Sequence, residues 1–281
     1  NIPDDYTSGR LKMLALPETR RPRFAVYNEM AARGYREVVS YAFVDEQWEH
    51  DFAANANPIR LQNPLAAQYA VMRSTLIGGL VEVLQNNLNR KQNRVRVFEI
   101  ARVFSKGSDG QFVQNERIGG LWYGAAMPEQ WGEKTRNADF YDIKADVENL
   151  LKNKAVEFVK TEHPALHPGR AADIVSDGQV IGFVGELHPK WLQKYDLPQA
   201  PLVFEIDMAA VLEREKTRYQ AVSKFQPVRR DLAFVMPETM THDDLLAALK
   251  GAANKLVQEI SVFDVYRGTG LPEGMKSMAV K

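Results

Sequence analysis

Apolar residues alternate along residues 94–110, RVRVFEIARVFSKGSDG. Val95, Val97, Ala101 and Val103 fall on one face of a period-two pattern, and Phe98, Ile100 and Phe104 on the other. With both faces largely apolar, the pattern predicts a central strand covered on both sides. Glu99 is in phase with the valines, so its carboxylate must be paired or open to a cleft. The turn formers of residues 105–110 end the strand, and Gln111, Phe112 and Val113 begin the return of a hairpin.

The same periodicities divide the rest of the chain. Residues 20–33 predict a helix, with Phe24, Tyr27 and Ala31 at i, i+3 and i+7 and Gly34 as its C-terminal cap. A strand is expected over 37–44. A helix over 73–89 carries Leu76, Leu80, Val83, Leu84 and Leu88 on one side, and residues 140–151 form another amphipathic helix. Residues 118–123, 156–161, 171–176, 179–185 and 202–207 are expected strands, with Asp177-Gly178 a two-residue hairpin turn. Hairpin-joined strands interrupted by helices imply an α+β fold, an antiparallel sheet flanked by helices. The polar stretch 214–220 is the expected boundary between a module over 19–214 and a second domain over 219–281. In that second domain strand, helix, strand, strand is the front of a ferredoxin-like unit, with Leu245, Leu246, Leu249 and Leu256 as the helix's apolar side. Residues 1–18 read as a linker from an upstream domain. An opening without Met and an ending within an apparent strand imply an excised piece.

Composition narrows the function classes. Lys plus Arg equals Asp plus Glu at 36 each, so no global field draws the chain to nucleic acid or membrane. The absence of cysteine removes disulfides, thiolate nucleophiles and cysteine-ligated zinc together, and fits a cytoplasmic setting. No apolar run approaches the ~18 residues of a membrane span.

Few residues offer chemistry. His163 and His167 lie four apart near Glu162, Glu186 and His188, but Pro164 and Pro168 oppose the helix that would make them metal ligands. Imidazole bonds that anchor loops are the expectation. Asp142, Asp146 and Glu148 are expected on a solvated helix face beside Lys144 and Lys152. No phosphate-binding loop, dinucleotide fingerprint, nucleophile elbow or metalloprotease helix motif occurs. Arg229 and Arg230, with Phe225 and Phe234 nearby, suit contact with unstacked bases as well as solvated strand ends. From 219 to 281, eight basic residues face seven acidic ones, so no strong field supports the first alternative.

The text VFEIARVF followed by a turn resembles the second signature motif of class II aminoacyl-tRNA synthetases. Ser105 and Gly107 stand where that motif carries an Arg and a Glu on the cleft face. NPLAAQYAVMRSTLIGGLVEVLQNNLNR, DFYDIKADVENLL, HPGRAADI, GELHP, PVRRDLAFV and FDVYRGTGLPEGMKSMA are similar, in order, to segments of bacterial phenylalanyl-tRNA synthetase beta subunits. The resemblance implies a catalytic-like class II module without catalytic residues or metal, followed by the start of an anticodon-binding domain. It implies an enzyme of two alpha and two beta subunits that joins phenylalanine to tRNA(Phe) with ATP and Mg2+, its chemistry in the alpha subunit. By the same resemblance the helix bearing Phe24 and Tyr27 meets the alpha subunit, Arg229 and Arg230 approach tRNA, and HPGR and GELHP are structural corners in which Gly169 takes an unusual dihedral. A self-sufficient class II ligase and a stand-alone RNA-binding module are the rival readings. Ser105 and Gly107 count against the first, and overall neutrality against the second.

Overall fold

The computed structural model describes residues 18–107, 109–216, 219, 221–222 and 224–281, so the expected linker, apart from Glu18, and Ser108 in the hairpin turn lie outside the described residues. The chain divides into two compact units between residues 217 and 218.

In the first unit the chain runs α1 (Arg23–Ala32), β1 (Arg36–Glu37), β2 (Phe43–Val44), α2 (Glu46–Ala53), β3 (Val71–Met72) and α3 (Ile77–Asn89). The hairpin β4 (Val95–Lys106) and β5 (Phe112–Tyr123) follows, then α4 (Phe140–Leu150) and β6 (Glu157–Lys160). The unit closes with β7 (Leu166–Ser176), β8 (Gln179–Leu187), α5 (Pro189–Lys194), β9 (Leu202–Asp207) and α6 (Met208–Leu212). Seven strands make one sheet in the order β1-β4-β5-β9-β8-β7-β6, antiparallel except for the parallel β1–β4 pair. The two faces of the β4 pattern bury different cores. Phe98 and Ile100 pack with Val26 and Met30 of α1, Ile143 and Val147 of α4 and Met208 of α6. Val95, Val97 and Val103 pack with Phe52 of α2, Leu80 and Leu84 of α3 and the half-buried Trp191 of α5. Asp177 and Gly178 take φ of 52° and 74°, the left-handed pair that a two-residue hairpin turn needs.

Several expected boundaries move, each for a local reason. Pro22 is the N-cap of α1, so the helix starts at Arg23. Arg21 is instead drawn inward, its Nε bonding Val211 O at 2.8 Å and its Nη2 bonding Leu150 O at 2.8 Å. The buried stripe of α1 is Val26 and Met30, which turns Phe24 and Ala31 to solvent. The strand expected over 37–44 splits. Val38 N still bonds Phe98 O at 2.9 Å, but Ser40 is pulled out of line by Glu99, and Phe43–Val44 pairs with β3 in a separate ribbon. The expected strands at 111–113 and 118–123 are one strand, β5. Because β1 pairs only with Val97 and Phe98, the outer half of β4 has a sheet neighbour on one side only.

In the second unit β10 (Leu232–Pro237), α7 (His242–Ala252), β11 (Val262–Tyr266) and β12 (Met275–Val280) form a sheet of order β10-β12-β11. Thr241 and Asp244 close a capping box at the start of α7. Of the expected leucine stripe only Leu245 is buried. The helix ends at Ala252, and Leu256 is 85% exposed beyond it.

The solvated face expected of α4 holds for Glu148, which pairs with Lys144, and fails for Asp146. Asp146 is buried and accepts from Arg33 Nη1 at 2.6 Å, Arg96 Nη2 at 2.6 Å and Tyr35 Oη at 2.8 Å. Arg96 is itself held between rings, its Cζ 3.6 Å from the Trp122 ring and 4.4 Å from that of Tyr35. Burial, reinforced by Asp146, pushes the Tyr35 hydroxyl far above its ordinary pKa, so it stays a donor. Asp142 completes the capping box of α4, and bidentate Arg136 holds its carboxyl below the ordinary value. Asp146→Ala strands two guanidinium groups and should cost about 3–5 kcal/mol in urea denaturation. A loss under ~1 kcal/mol would contradict this role.

Candidate functional site on the sheet face beneath α3

Glu99 points from β4 to the valine face, as its phase requires, and is 1% exposed. Arg73 Nη1 donates to its Oε1 at 3.0 Å, Ser40 Oγ to Oε2 at 2.6 Å and Ser40 N to Oε1 at 3.2 Å. Of the two states open to that carboxylate, paired or facing a cleft, it takes the first. Glu205 of β9 is the second carboxylate here, 0% exposed. It accepts from Thr75 Oγ1 at 2.6 Å, Leu76 N at 2.8 Å and Arg117 Nη1 at 2.8 Å. Glu49 of α2 is the third, taking Ser74 N at 2.8 Å, Ser74 Oγ at 2.6 Å and Asn55 Nδ2 at 2.7 Å.

The sheet register sets this geometry. Glu99 pairs with Gly119 of β5, and Gly119 pairs with Glu205, so both carboxylates stand on one rung at either side of a glycine. A Cβ at Gly119 would lie 3.1 Å from Leu76, and one at Gly79 would lie 2.5 Å from Ser40 Oγ. These two glycines let the start of α3 and the preceding residues settle onto the sheet. Residues 73–76 are pinned by these side-chain bonds ahead of the helix, which is why α3 starts at Ile77 where the apolar spacing predicts Arg73.

Arg73 and Arg117, the two arginines beside these carboxylates, are both consumed internally. Arg73 serves Glu99 and also donates from Nε to Arg102 O at 3.1 Å. Arg117 serves Glu205 and, through Nε, Asp207 at 3.0 Å; burial would lower its pKa, but the two carboxylates hold it above its ordinary value. Ser105 is exposed and lines a cavity of about 410 Å³ with Asn55, Ser74, Phe104 and Lys106. Lys106 supplies a cation one residue from Ser105, and its Nζ donates to Asn57 Oδ1 at 3.2 Å. Arg73, Glu205 and Lys106 were not singled out from the sequence. The tetrapeptide VFEI, at 97–100 and again at 203–206, was the signal that could have found Glu205.

The other candidates lie elsewhere. Phe24 is 71% exposed. Tyr27 packs edge-on against Phe98 at 5.9 Å, half inside the core. Arg229 and Arg230 are exposed and precede β10, which begins at Leu232, and Arg229 pairs with Asp231 at 3.1 Å. His163, His167 and His188 each accept at Nδ1 from the backbone N two residues on, at 3.2, 2.9 and 3.0 Å, the loop-anchoring role expected. The His163 ring also lies tilted against Phe183, centroids 4.1 Å apart, and burial lowers its pKa. Gly169 lies inside β7 without a left-handed φ, so the unusual dihedral expected there is absent; its amide is the donor to His167.

Glu99→Met and Arg73→Met should each destabilise the chain by about 3 kcal/mol, and the double variant by less than their sum, because removing both partners leaves no buried charge alone. Strictly additive losses in a denaturant cycle would contradict the pairing.

Residues 2–208 match the family described as phenylalanyl tRNA synthetase beta chain CLM domain, and residues 223–281 match the ferredoxin-fold anticodon binding domain. The chain is 93% identical over 281 residues to the phenylalanine–tRNA ligase beta subunit of Neisseria meningitidis serogroup B, covering 100% of itself and 36% of that protein. It is 54% identical over 279 residues to the beta subunit of Chromobacterium violaceum, with 99% and 35% covered. It thus spans about a third of the length of the curated relatives it matches. Among solved structures, the pyrrolysyl tRNA synthetase of Desulfitobacterium hafniense aligns with a TM-score of 0.49 at 12% identity over 68% of this chain and 66% of that one. The chain belongs to the phenylalanyl-tRNA synthetase beta chain family.

Proposed function

We propose that the chain is an architectural, non-catalytic part of a phenylalanine–tRNA ligase. In this reading residues 19–214 are a catalytic-like module that assembles with the alpha subunit, and 219–281 belong to an anticodon-binding domain. The whole enzyme, two alpha and two beta subunits in the cytoplasm, joins phenylalanine to tRNA(Phe) with ATP and Mg2+.

The observation that carries the reading is the neutralised face beneath α3. A nucleotide needs uncommitted cations, and its magnesium needs uncommitted carboxylates. Here Arg73 and Arg117 are bound to Glu99 and Glu205, and positions 105 and 107 are Ser and Gly. Committed in this way, Arg73, Arg117, Glu99 and Glu205 do not fit ATP or Mg2+, and Glu99, Ser105 and Gly107 take no catalytic role. Arg229 and Arg230 remain the proposed tRNA contacts. Arg229 is already paired with Asp231, which reduces the electrostatic pull of the two.

The alpha-subunit surface is assigned to the outer side of α1. Phe24 is its exposed aromatic, whereas Tyr27 supports the module's own core. Phe24→Ala should leave unfolding of the chain unchanged within ~0.5 kcal/mol and weaken assembly with the alpha subunit by ~2 kcal/mol. Tyr27→Ala should lower the stability of the chain itself. Co-purification with the alpha subunit, followed by a dilution series, reads both. Wild-type affinity in Phe24→Ala would remove this helix from the interface.

A further inference from the structure

The connection from β5 to α4 carries a side chain that the fold leaves without a use. Its base is fixed. Ala126 N bonds Arg136 O at 2.9 Å, Ala138 N bonds Gly124 O at 3.0 Å, and Arg94 clamps Ala125 O at 3.0 Å and Ala126 O at 3.1 Å. Arg136 is locked to Asp142. Beyond that stem every residue from 127 to 135 is exposed. Trp131, at 101%, shows its whole indole to water and has no ring contact or hydrogen bond among the described residues. Met127 on the same tip is 55% exposed.

Burying an indole of ~150–250 Å² is among the largest single gains an interface offers, and a stem already tied down lowers the ordering cost. Charge selects the partner. Glu129 and Glu133 flank the indole and Lys134 is the one cation of residues 127–135, so the tip carries a net charge of −1. Such a tip repels a phosphate backbone and suits a protein surface with Lys or Arg at its rim. The loop runs into α4, and α4 and α1 form one layer, joined through Arg33–Asp146 and Arg21–Leu150 O.

We propose that residues 127–135 are a second docking element for the alpha subunit, with Trp131 entering an apolar pocket whose rim is basic. This rests on the subunit reading above and extends the interface from Phe24 along the α1–α4 layer.

The test uses the full-length beta chain and the alpha subunit, with Trp131→Ala and Glu129→Lys/Glu133→Lys variants. Trp131→Ala should unfold at the wild-type temperature, because the indole has no ring contact or hydrogen bond among the described residues, and should weaken assembly about tenfold or more. The charge-reversed variant should also assemble more weakly. Tryptophan emission should shift to the blue when wild-type subunits associate, and less so in Trp131→Ala. Wild-type affinity in Trp131→Ala would overturn the inference, as would a loss confined to tRNA binding. A wild-type chain that does not join the alpha subunit at all would overturn the reading above and this inference with it.

Discussion

Three buried carboxylates close on four consecutive residues. Glu99 from β4 holds Arg73, Glu49 from α2 holds Ser74, and Glu205 from β9 holds Thr75 and the amide of Leu76. A buried carboxylate without partners is too costly to keep, and a backbone amide left bare beneath a helix is costly as well. The two demands are met together, and the segment so fixed delivers α3 onto the sheet. With α3 come Leu80 and Leu84, which form the centre of the core on that side. Arg73 and Arg117 are committed to these carboxylates, so the arrangement that stabilises the module also withdraws both guanidinium groups from any ligand.

The opposite face is organised by a buried carboxylate of its own, with a different outcome. Asp146 joins α4 to Arg33 at the end of α1 and to Arg96 of β4. It ties the two helices into a layer whose outer surface presents Phe24 and leads to the loop of Trp131. One side of the sheet is thus closed by its own charges. The other is stiffened by them, and stiffness serves a docking surface because less order has to be gained on binding.

How much of this the sequence revealed followed from the range of the interactions. The two faces of β4, the Asp177-Gly178 turn and the strand–helix–strand–strand order of the second unit rest on local periodicity and turn chemistry, and they were legible. The start of α3 was not, because an apolar spacing that continues back to Arg73 is overridden by bonds from Glu49 and Glu205. The burial of Asp146 escapes the sequence for the same reason. Lys144 and Lys152 are near it in sequence and suggest a solvated face, whereas its partners lie 113 and 50 residues away. The five-residue α6 and eight-residue α2 are too short to show a helical period. The phase of Glu99 marks it as a charge in need of a partner, but spacing does not name the cation that answers it.

Arg73 and Arg117 are spent within the fold, and on the proposed reading the module shapes the enzyme without taking part in its chemistry. Equilibrium dialysis of labelled ATP against the assembled enzyme, with phenylalanine absent, counts nucleotide sites directly. One ATP bound per alpha–beta pair is the expected result. Two per pair, with the second lost on Arg73→Met or Arg117→Met at unchanged assembly, would contradict the account.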